Sequence, residues 1–120
     1  MSVIAALTEA LGPAKVLTDE ASLAGRRHDY WMVSALRDRV GGAAPNPACV
    51  VRPANVADVQ AILRAANASG APVIPFGLGS GVVGGVIAAP DSILIDMGAM
   101  SATRFIDTTN LLAGFDAGRN

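Results

Sequence analysis

The sequence contains little of what would bind nucleic acid, hold a metal through thiolates or cross-link the chain. Aromatic residues are only 4% of its 120 residues, and the formal net charge is −1. Because no block of Lys and Arg forms a patch, the composition argues against a nucleic-acid partner. Cys49 is the single cysteine, which excludes a disulfide framework and a cysteine-based metal site. Its neighbours Val50 and Val51 indicate a small buried side chain rather than a reactive thiol.

Targeting and membrane signals are also absent from the pattern. No basic residue precedes Lys15, so the amino terminus does not resemble a secretory signal. The longest uncharged stretch, residues 65–90, has enough residues to span a bilayer, but several glycines and prolines interrupt it. It therefore cannot form one continuous membrane helix. We expect a soluble protein of a reducing, cytoplasmic compartment.

The chain is rich in Ala, Val, Ile and Leu instead. It is 52% hydrophobic, with a mean hydropathy of +0.44. Such a content favours many buried strands, or an apolar surface that further chain covers. The length suffices for one domain with a substantial core but not comfortably for two.

Residues 1–46 are predicted to form an N-terminal helical segment. Helical spacing of apolar residues predicts a helix from Ser2, its N-cap, to Leu11, where Gly12 stops it. A short helix between Thr18 and Gly25 and a third over residues 30–40 follow. Residues 41–47, with two glycines and two prolines, predict a loop.

Residues 47–120 have an α/β pattern and are predicted to form the first part of a second unit. A β-branched run predicts a strand over 49–52, Asn55 is a good N-cap for a helix that ends near Gly70, and a second strand covers 72–76. Such strand–helix–strand units are usually parallel and right-handed. Further strands are predicted over 92–96, 103–107 and 111–116. The predicted fold class is α/β (α+β): N-terminal helices, a strand–helix–strand unit with a glycine-rich loop, then more strands.

The glycine-rich loop is the strongest functional signal. Five glycines fall within residues 77–85, directly after a predicted strand. Glycine tolerates positive φ, so successive backbone N–H groups can converge into a nest that binds phosphate oxygens. Ser80 adds a hydroxyl donor. A loop without lysine suits a diphosphate held by hydrogen bonds.

Several interpretations of this loop compete. A Walker loop is excluded because no lysine follows the glycines. Residues 79–84 spell G-x-G-x-x-G with Asp96 further on, as in dinucleotide-binding folds, but Gly85 and Pro90 interrupt the helix that such a motif must begin. A strand–loop–strand phosphate cradle and a tight turn without ligand remain, and the number of glycines favours the cradle.

The loop and its surroundings resemble a known family. The segment Pro75–Gly85, PFGLGSGVVGG, is similar to the diphosphate loop of the vanillyl-alcohol-oxidase-type flavoproteins, which share the PCMH-type FAD-binding domain. The likeness is greatest to the branch with alkylglycerone-phosphate synthase, D-lactate dehydrogenase and the glycolate oxidase FAD subunit. The lead-in Val50–Pro53, the strand Ile93–Met97 and the upstream segment His28–Trp31 agree with it.

The resemblance implies non-covalent FAD, since the loop contains neither histidine nor cysteine. The family usually has glycine where this chain has Leu78, and a leucine there is strained if the position needs positive φ. The residues that the resemblance assigns to the FAD diphosphate are Phe76, Gly77, Leu78, Gly79, Ser80, Gly81 and Gly84.

The resemblance also implies a function for the intact protein. We expect the FAD-binding portion of a flavin-dependent oxidoreductase that oxidises a 2-hydroxy acid or a similar small substrate. The alternatives are a non-catalytic fragment or split subunit that needs a partner chain, and an alkyl transferase of the alkylglycerone-phosphate synthase type. Because family members are several times longer, we expect a truncated chain that lacks the substrate domain.

No catalytic residue and no metal ligand is assigned. His28 and Asp29 could form an acid–base pair, but sequence neighbours point apart and a surface or packing role is favoured. Asp96 and Asp107 end predicted strands, where turn or cap roles are favoured, and Trp31 is expected to pack.

Overall fold

A computed structural model describes residues 2–119 as a four-stranded sheet, a separate two-stranded hairpin and four α-helices. The helices and strands, in chain order, are α1 (Val3–Leu11), β1 (Val16–Leu17), α2 (Glu20–Ala24), α3 (Met32–Arg39), β2 (Cys49–Val51), α4 (Val56–Ser69), β3 (Val73–Phe76), β4 (Ile93–Asp96), β5 (Thr103–Asp107) and β6 (Leu112–Phe115). Short 3₁₀ turns cover Pro13–Lys15 and Met97–Ala99. The predicted α/β class is confirmed.

The four-stranded sheet, called here the central sheet, has the order β1-β2-β4-β3. Strands β2 and β3 run parallel as predicted, but they are not neighbours, because β4 pairs in parallel with both. Leu94 is the middle of this arrangement and lies in register with Val50 on one side and Ile74 on the other. A strand with neighbours on both sides and covered faces reads as a continuous apolar run, as β4 does.

Helices α1 and α4 pack against each other and supply the core on one face of the sheet. Leu7 of α1 and Ile62 of α4 are fully buried together with Ile93 of β4. Both predicted N-caps are confirmed: Ser2 accepts from the Ala5 N–H and Asn55 from the Asp58 N–H. These side chains satisfy N–H groups that the first helical turn leaves without partners.

Helix boundaries shift where tertiary contacts engage the first residues. The second helix begins after Asp19, whose carboxylate caps it, rather than at Thr18. The third begins at Met32 and not at Tyr30, because the Trp31 backbone is not helical, with ψ 123°. The Tyr30 N–H donates to the Gly79 carbonyl and the Trp31 N–H to the Asp29 carboxylate. Helix periodicity carries no information on such contacts.

Strand β1 was not predicted from the sequence. It is two residues long and pairs antiparallel with β2, with Val16 opposite Val51. Two residues cannot display an alternating pattern, so only its partner strand identifies it. The single cysteine, Cys49 of β2, is fully buried, and this burial raises the pKa of its thiol to about 11.

Strands β5 and β6 pair antiparallel with each other and with no other strand among residues 2–119. The Asp107 carboxylate orders their turn by accepting from the N–H groups of Thr109 and Asn110. Leu111 follows with φ 56°, an uncommon conformation for a residue with a Cβ. No helix in the described part of the chain is both long and apolar enough to cross a membrane.

Candidate cofactor-binding site

The glycine loop lies at the carboxyl edge of the central sheet. It leaves β3 after Phe76, which is in register with Asp96, the last residue of the parallel neighbour β4. Ligands of open α/β sheets bind outside the carboxyl ends of the strands. The topology thus places the loop where a ligand would be expected.

Two positions in the loop require glycine. Gly79 has φ +65° and Gly84 has φ +79°, in the region that side chains rarely adopt. Space excludes a side chain as well: a Cβ on Gly79 would come 2.7 Å from Cζ of Phe76, and one on Gly84 would come 2.7 Å from Cε3 of Trp31. The glycines therefore allow the loop to fold back closely onto two aromatic rings.

The condition under which Leu78 would be strained, a positive φ, is not met. Among residues 2–119 only Leu111 combines a side chain with positive φ, so the backbone at Leu78 does not need glycine. Leu78 is about half exposed and lines a neighbouring cavity. Leucine is thus compatible with this loop conformation.

The dinucleotide-fold interpretation is wrong for this chain. No helix begins between residue 77 and β4; the segment contains turns and one isolated bridge. Asp96 is not free to bind a ribose. Its Oδ1 accepts from the Gly98 N–H at 2.9 Å, and its Oδ2 lies 2.9 Å from Nε of Arg26 and 3.5 Å from Nε of Arg52. The predicted cap role of Asp96 is confirmed.

The first half of the loop has unused hydrogen-bond donors. None of the backbone N–H groups of residues 77–81 donates to an acceptor within residues 2–119. Backbone donors are almost always paired, with solvent or a ligand where the protein supplies no acceptor. These consecutive amides, together with the exposed Ser80, supply unpaired donors of the kind that a nest uses to bind anionic oxygens.

A cavity of about 360 Å³ opens beside this half of the loop. Arg26 places a positive charge at its wall and is held there by Asp96 and by the Ser22 carbonyl. The lining residues are Gly25, Arg26, Phe76, Gly77, Leu78, Asp96, Gly98 and Gly118. A diphosphate would find both amide donors and a guanidinium there.

The second half of the loop is held by residues 27–31, called here the anchoring segment. This segment runs antiparallel along residues 86–88: Ala88 N–H donates to the Arg27 carbonyl at 2.8 Å, and Asp29 N–H donates to the Val86 carbonyl at 3.2 Å. His28 and Ile87 form the bridge between them. No pattern in the sequence predicts this pairing.

His28 and Asp29 do not form an acid–base pair. The His28 ring contacts its neighbour's backbone, with Nδ1 2.6 Å from the Asp29 carbonyl oxygen, and Nε2 lies 2.8 Å from Oδ2 of Asp38. The backbone carbonyl first, and Asp38 second, raise the pKa of His28 against the effect of burial. The Asp29 carboxylate instead points into the glycine loop, where Oδ1 accepts from the Trp31 N–H and Oδ2 from the Val86 N–H.

Comparisons with known proteins agree with the resemblance. Residues 47–120 match a family model described as FAD binding domain. An uncharacterized FAD-linked oxidoreductase of Mycobacterium tuberculosis is 29% identical over 109 residues, which are 91% of this chain and 22% of that protein. A D-2-hydroxyglutarate dehydrogenase of Xanthomonas citri pv. viticola is 36% identical over 61 residues, 51% of this chain and 13% of the relative. The chain thus spans about a fifth or less of the length of these relatives.

Solved structures share the fold. An alkyldihydroxyacetonephosphate synthase superimposes with a TM-score of 0.81 at 21% identity, over 94% of this chain and 21% of the other. A p-cresol methylhydroxylase with substrate bound gives 0.77 at 19% identity, over 98% and 22%. Both likenesses concern architecture, that of PCMH-type FAD-binding domains. Since the family model covers more than half of the sequence, this chain belongs to the FAD binding domain family, and its cofactor is FAD.

Proposed function

We propose that the chain is the cofactor-holding part of a flavin-dependent oxidoreductase, and that the first half of the glycine loop binds the FAD diphosphate. The observation that carries this proposal is the run of backbone N–H groups at residues 77–81 without a partner in residues 2–119. The residues proposed to contact the diphosphate remain Phe76, Gly77, Leu78, Gly79, Ser80 and Gly81, with Gly84 supporting the loop from behind.

The chemistry and the binding are divided between cofactor and chain. FAD, when bound, accepts or donates the hydride or electrons of the reaction. Residues 77–81 would orient it by hydrogen bonds to the diphosphate, and Arg26 would add charge at the cavity wall. Binding is proposed to be non-covalent: the loop contains neither histidine nor cysteine, Cys49 is buried in β2, and both His28 nitrogens are engaged away from the cavity.

For the whole protein we propose oxidation of a 2-hydroxy acid or a similar small substrate. The supporting observation is the match with a protein named D-2-hydroxyglutarate dehydrogenase, which covers 51% of this chain. Alkyl transfer is the alternative suggested by the fold of the synthase structure. For either reaction we propose the same role for this loop, that of holding FAD.

A different class of function is a non-catalytic module or split subunit that pairs with another chain. The observation that favours it is the exposed apolar hairpin, where Ile106 is 68% and Leu112 58% exposed.

We further propose that the chain has two parts, residues 1–46 and residues 47–120, and that the first part completes the sheet of the second through β1. We also propose that the protein is cytoplasmic, which is consistent with the free thiol of Cys49.

The first test is a titration of the purified chain with FAD. Trp31, the single tryptophan, packs under Gly84, so its fluorescence should be quenched as the loop is occupied. Gly79→Ala should weaken binding by about tenfold or more, equivalent to about 1.4 kcal/mol, because the new Cβ collides with the Phe76 ring at positive φ.

Gly41→Ala is the matched control. Gly41 also has positive φ, +85°, but a Cβ there would meet nothing within 4 Å. Its backbone strain is thus similar while the loop is untouched, and FAD affinity should not change. Equal FAD affinity of the wild type and both variants would contradict the proposal that the loop binds FAD. A folded wild-type chain that binds no FAD would favour the interaction module.

A further inference from the structure

The buried carboxylate of Asp29 contacts the glycine-rich segment from the protein side of the loop. Its residue is 1% exposed, and its two oxygens accept from Trp31 N–H at 3.1 Å and from Val86 N–H at 3.4 Å. The N–H groups of Gly84 and Gly85 also face it. The proposed contacts with FAD leave this carboxylate without a role.

Asp29 is ionised although it is buried and forms no ion pair within residues 2–119. Burial by itself would raise the pKa of Asp29, but the N–H groups of Trp31, Val86, Gly85 and Gly84 outweigh it and lower the pKa. A carboxylate that accepts several backbone hydrogen bonds behaves in this way. Within residues 2–119 its negative charge is therefore compensated by backbone N–H groups and not by an ion pair.

The loop is divided by this contact. The amides of residues 77–81 have no partner among the described residues, whereas those of 84–86 face Asp29. Gly81 marks the boundary, since a Cβ on it would come 2.8 Å from Oδ2 of Asp29. One glycine-rich segment thus presents two amide clusters, of which the inner one is occupied by the chain's own carboxylate.

We propose that Asp29 is a positioning residue for the cofactor: an internal anion that fixes residues 84–86 and so holds the amides of 77–81 open for the diphosphate. The proposal rests on the proposed function of those amides. A second negative charge near a diphosphate is electrostatically unfavourable. The benefit of Asp29 to binding must consequently come from the shape that it gives the loop.

Asp29→Asn tests this arrangement at nearly constant volume. The amide oxygen can still accept from Trp31, but the NH₂ group then faces N–H donors where Oδ2 accepted. Hydrogen exchange of the 84–86 amides, measured without FAD, should become roughly tenfold faster or more. FAD affinity should fall about tenfold, while the midpoint of global unfolding changes little.

Asp107→Asn is the matched control, because that carboxylate also collects two backbone N–H groups, in the β5–β6 turn. It should leave both the exchange of residues 84–86 and FAD affinity unchanged. A merely structural Asp29 would lower the unfolding midpoint without changing the affinity of the folded fraction. This result would overturn the proposal. Unchanged exchange of residues 84–86 in Asp29→Asn, or tighter FAD binding by that variant, would also overturn it.

A second pair of variants retains the Asp29 side chain and its charge. Gly81→Ala should displace the carboxylate and speed exchange at residues 84–86, whereas a Cβ on Gly85 lies 3.9 Å from Oδ2, an ordinary contact, and Gly85→Ala should not. Both glycines lie outside the left-handed region. If exchange responds as described but the wild-type chain binds no FAD, the proposed function fails while the contact of Asp29 with the loop stands. Identical exchange in both variants contradicts the contact itself.

Discussion

Strands β4 and β5 both end in two apolar residues followed by an aspartate, but their environments are opposite. All four residues of β4 are buried, whereas four of the five residues of β5 are exposed. Ile93 has no exposed surface and Ile106 is 68% exposed. The difference comes from topology: β4 lies between β2 and β3 beneath α1 and α4, and β5 pairs with β6 alone. An apolar strand becomes part of the core only when neighbouring strands and helices cover it.

The most severe way to test this contrast is to truncate the same side chain in both sheets. Ile93→Ala should lower the free energy of unfolding by about 2–5 kcal/mol, because it opens a cavity in a closed core. Ile106→Ala should change it by no more than about 0.5 kcal/mol. Chemical denaturation of the two variants measures both values. Comparable losses would mean that the hairpin is part of the cooperative core.

Substitution of two glycines probes how the hairpin is attached. Gly118 is buried after β6, its N–H donates to the Met100 carbonyl, and a Cβ would overlap the Met97 carbonyl, which cannot move aside. Gly118→Ala should therefore destabilise the chain by roughly 1–3 kcal/mol, as other overpacked sites do.

Gly114→Ala is its counterpart within the hairpin. The new Cβ would meet the Phe105 ring, but this ring is 55% exposed and can swing into solvent, so we expect a loss under about 1 kcal/mol. Thermal unfolding of both variants makes the comparison. A greater loss at Gly114 would show that the ring is held more firmly than its exposure indicates.

The smallest effect concerns charge at the edge of the central sheet. Lys15 Nζ lies 2.6 Å from Oδ2 of Asp58, and this contact holds the pKa of Asp58 below its ordinary value of 3.8. A depressed pKa contributes stability above pH 3.8 that is lost as the pH falls through the folded-state pKa. Lys15→Met should cost between about 0.2 and 1 kcal/mol at neutral pH and progressively less below pH 4. Unfolding curves at pH 7 and pH 3 test this, and a loss that grows in acid would contradict it.

Local signals in the sequence predicted the features that are locally determined. Asn55 caps its helix and Gly70 ends it because both act through their own backbone neighbours. The loop at 77–85 could be predicted because five glycines directly after a strand are typical of a phosphate-binding loop. Whether residues 77–81 bind FAD remains a prediction.

The features that depend on distant contacts could not be predicted. The position of β4 between β2 and β3 cannot be read from the pattern of apolar residues in any of the three strands. Asp29 contacts Val86 across 57 positions of sequence, so nothing local separates it from a surface aspartate. Whether Leu78 has positive φ could not be read from the sequence, because the φ of one loop residue depends on the whole loop path.

The buried cysteine provides an intrinsic probe for opening of the central sheet. Thiol reagents attack the thiolate, and Cys49, enclosed in β2 with its pKa raised to about 11, offers almost none at neutral pH. Labelling must then wait until β2 separates from β1 and β4. Since Cys49 is the only thiol in the chain, its labelling rate under native conditions reports the opening of this sheet without an added probe.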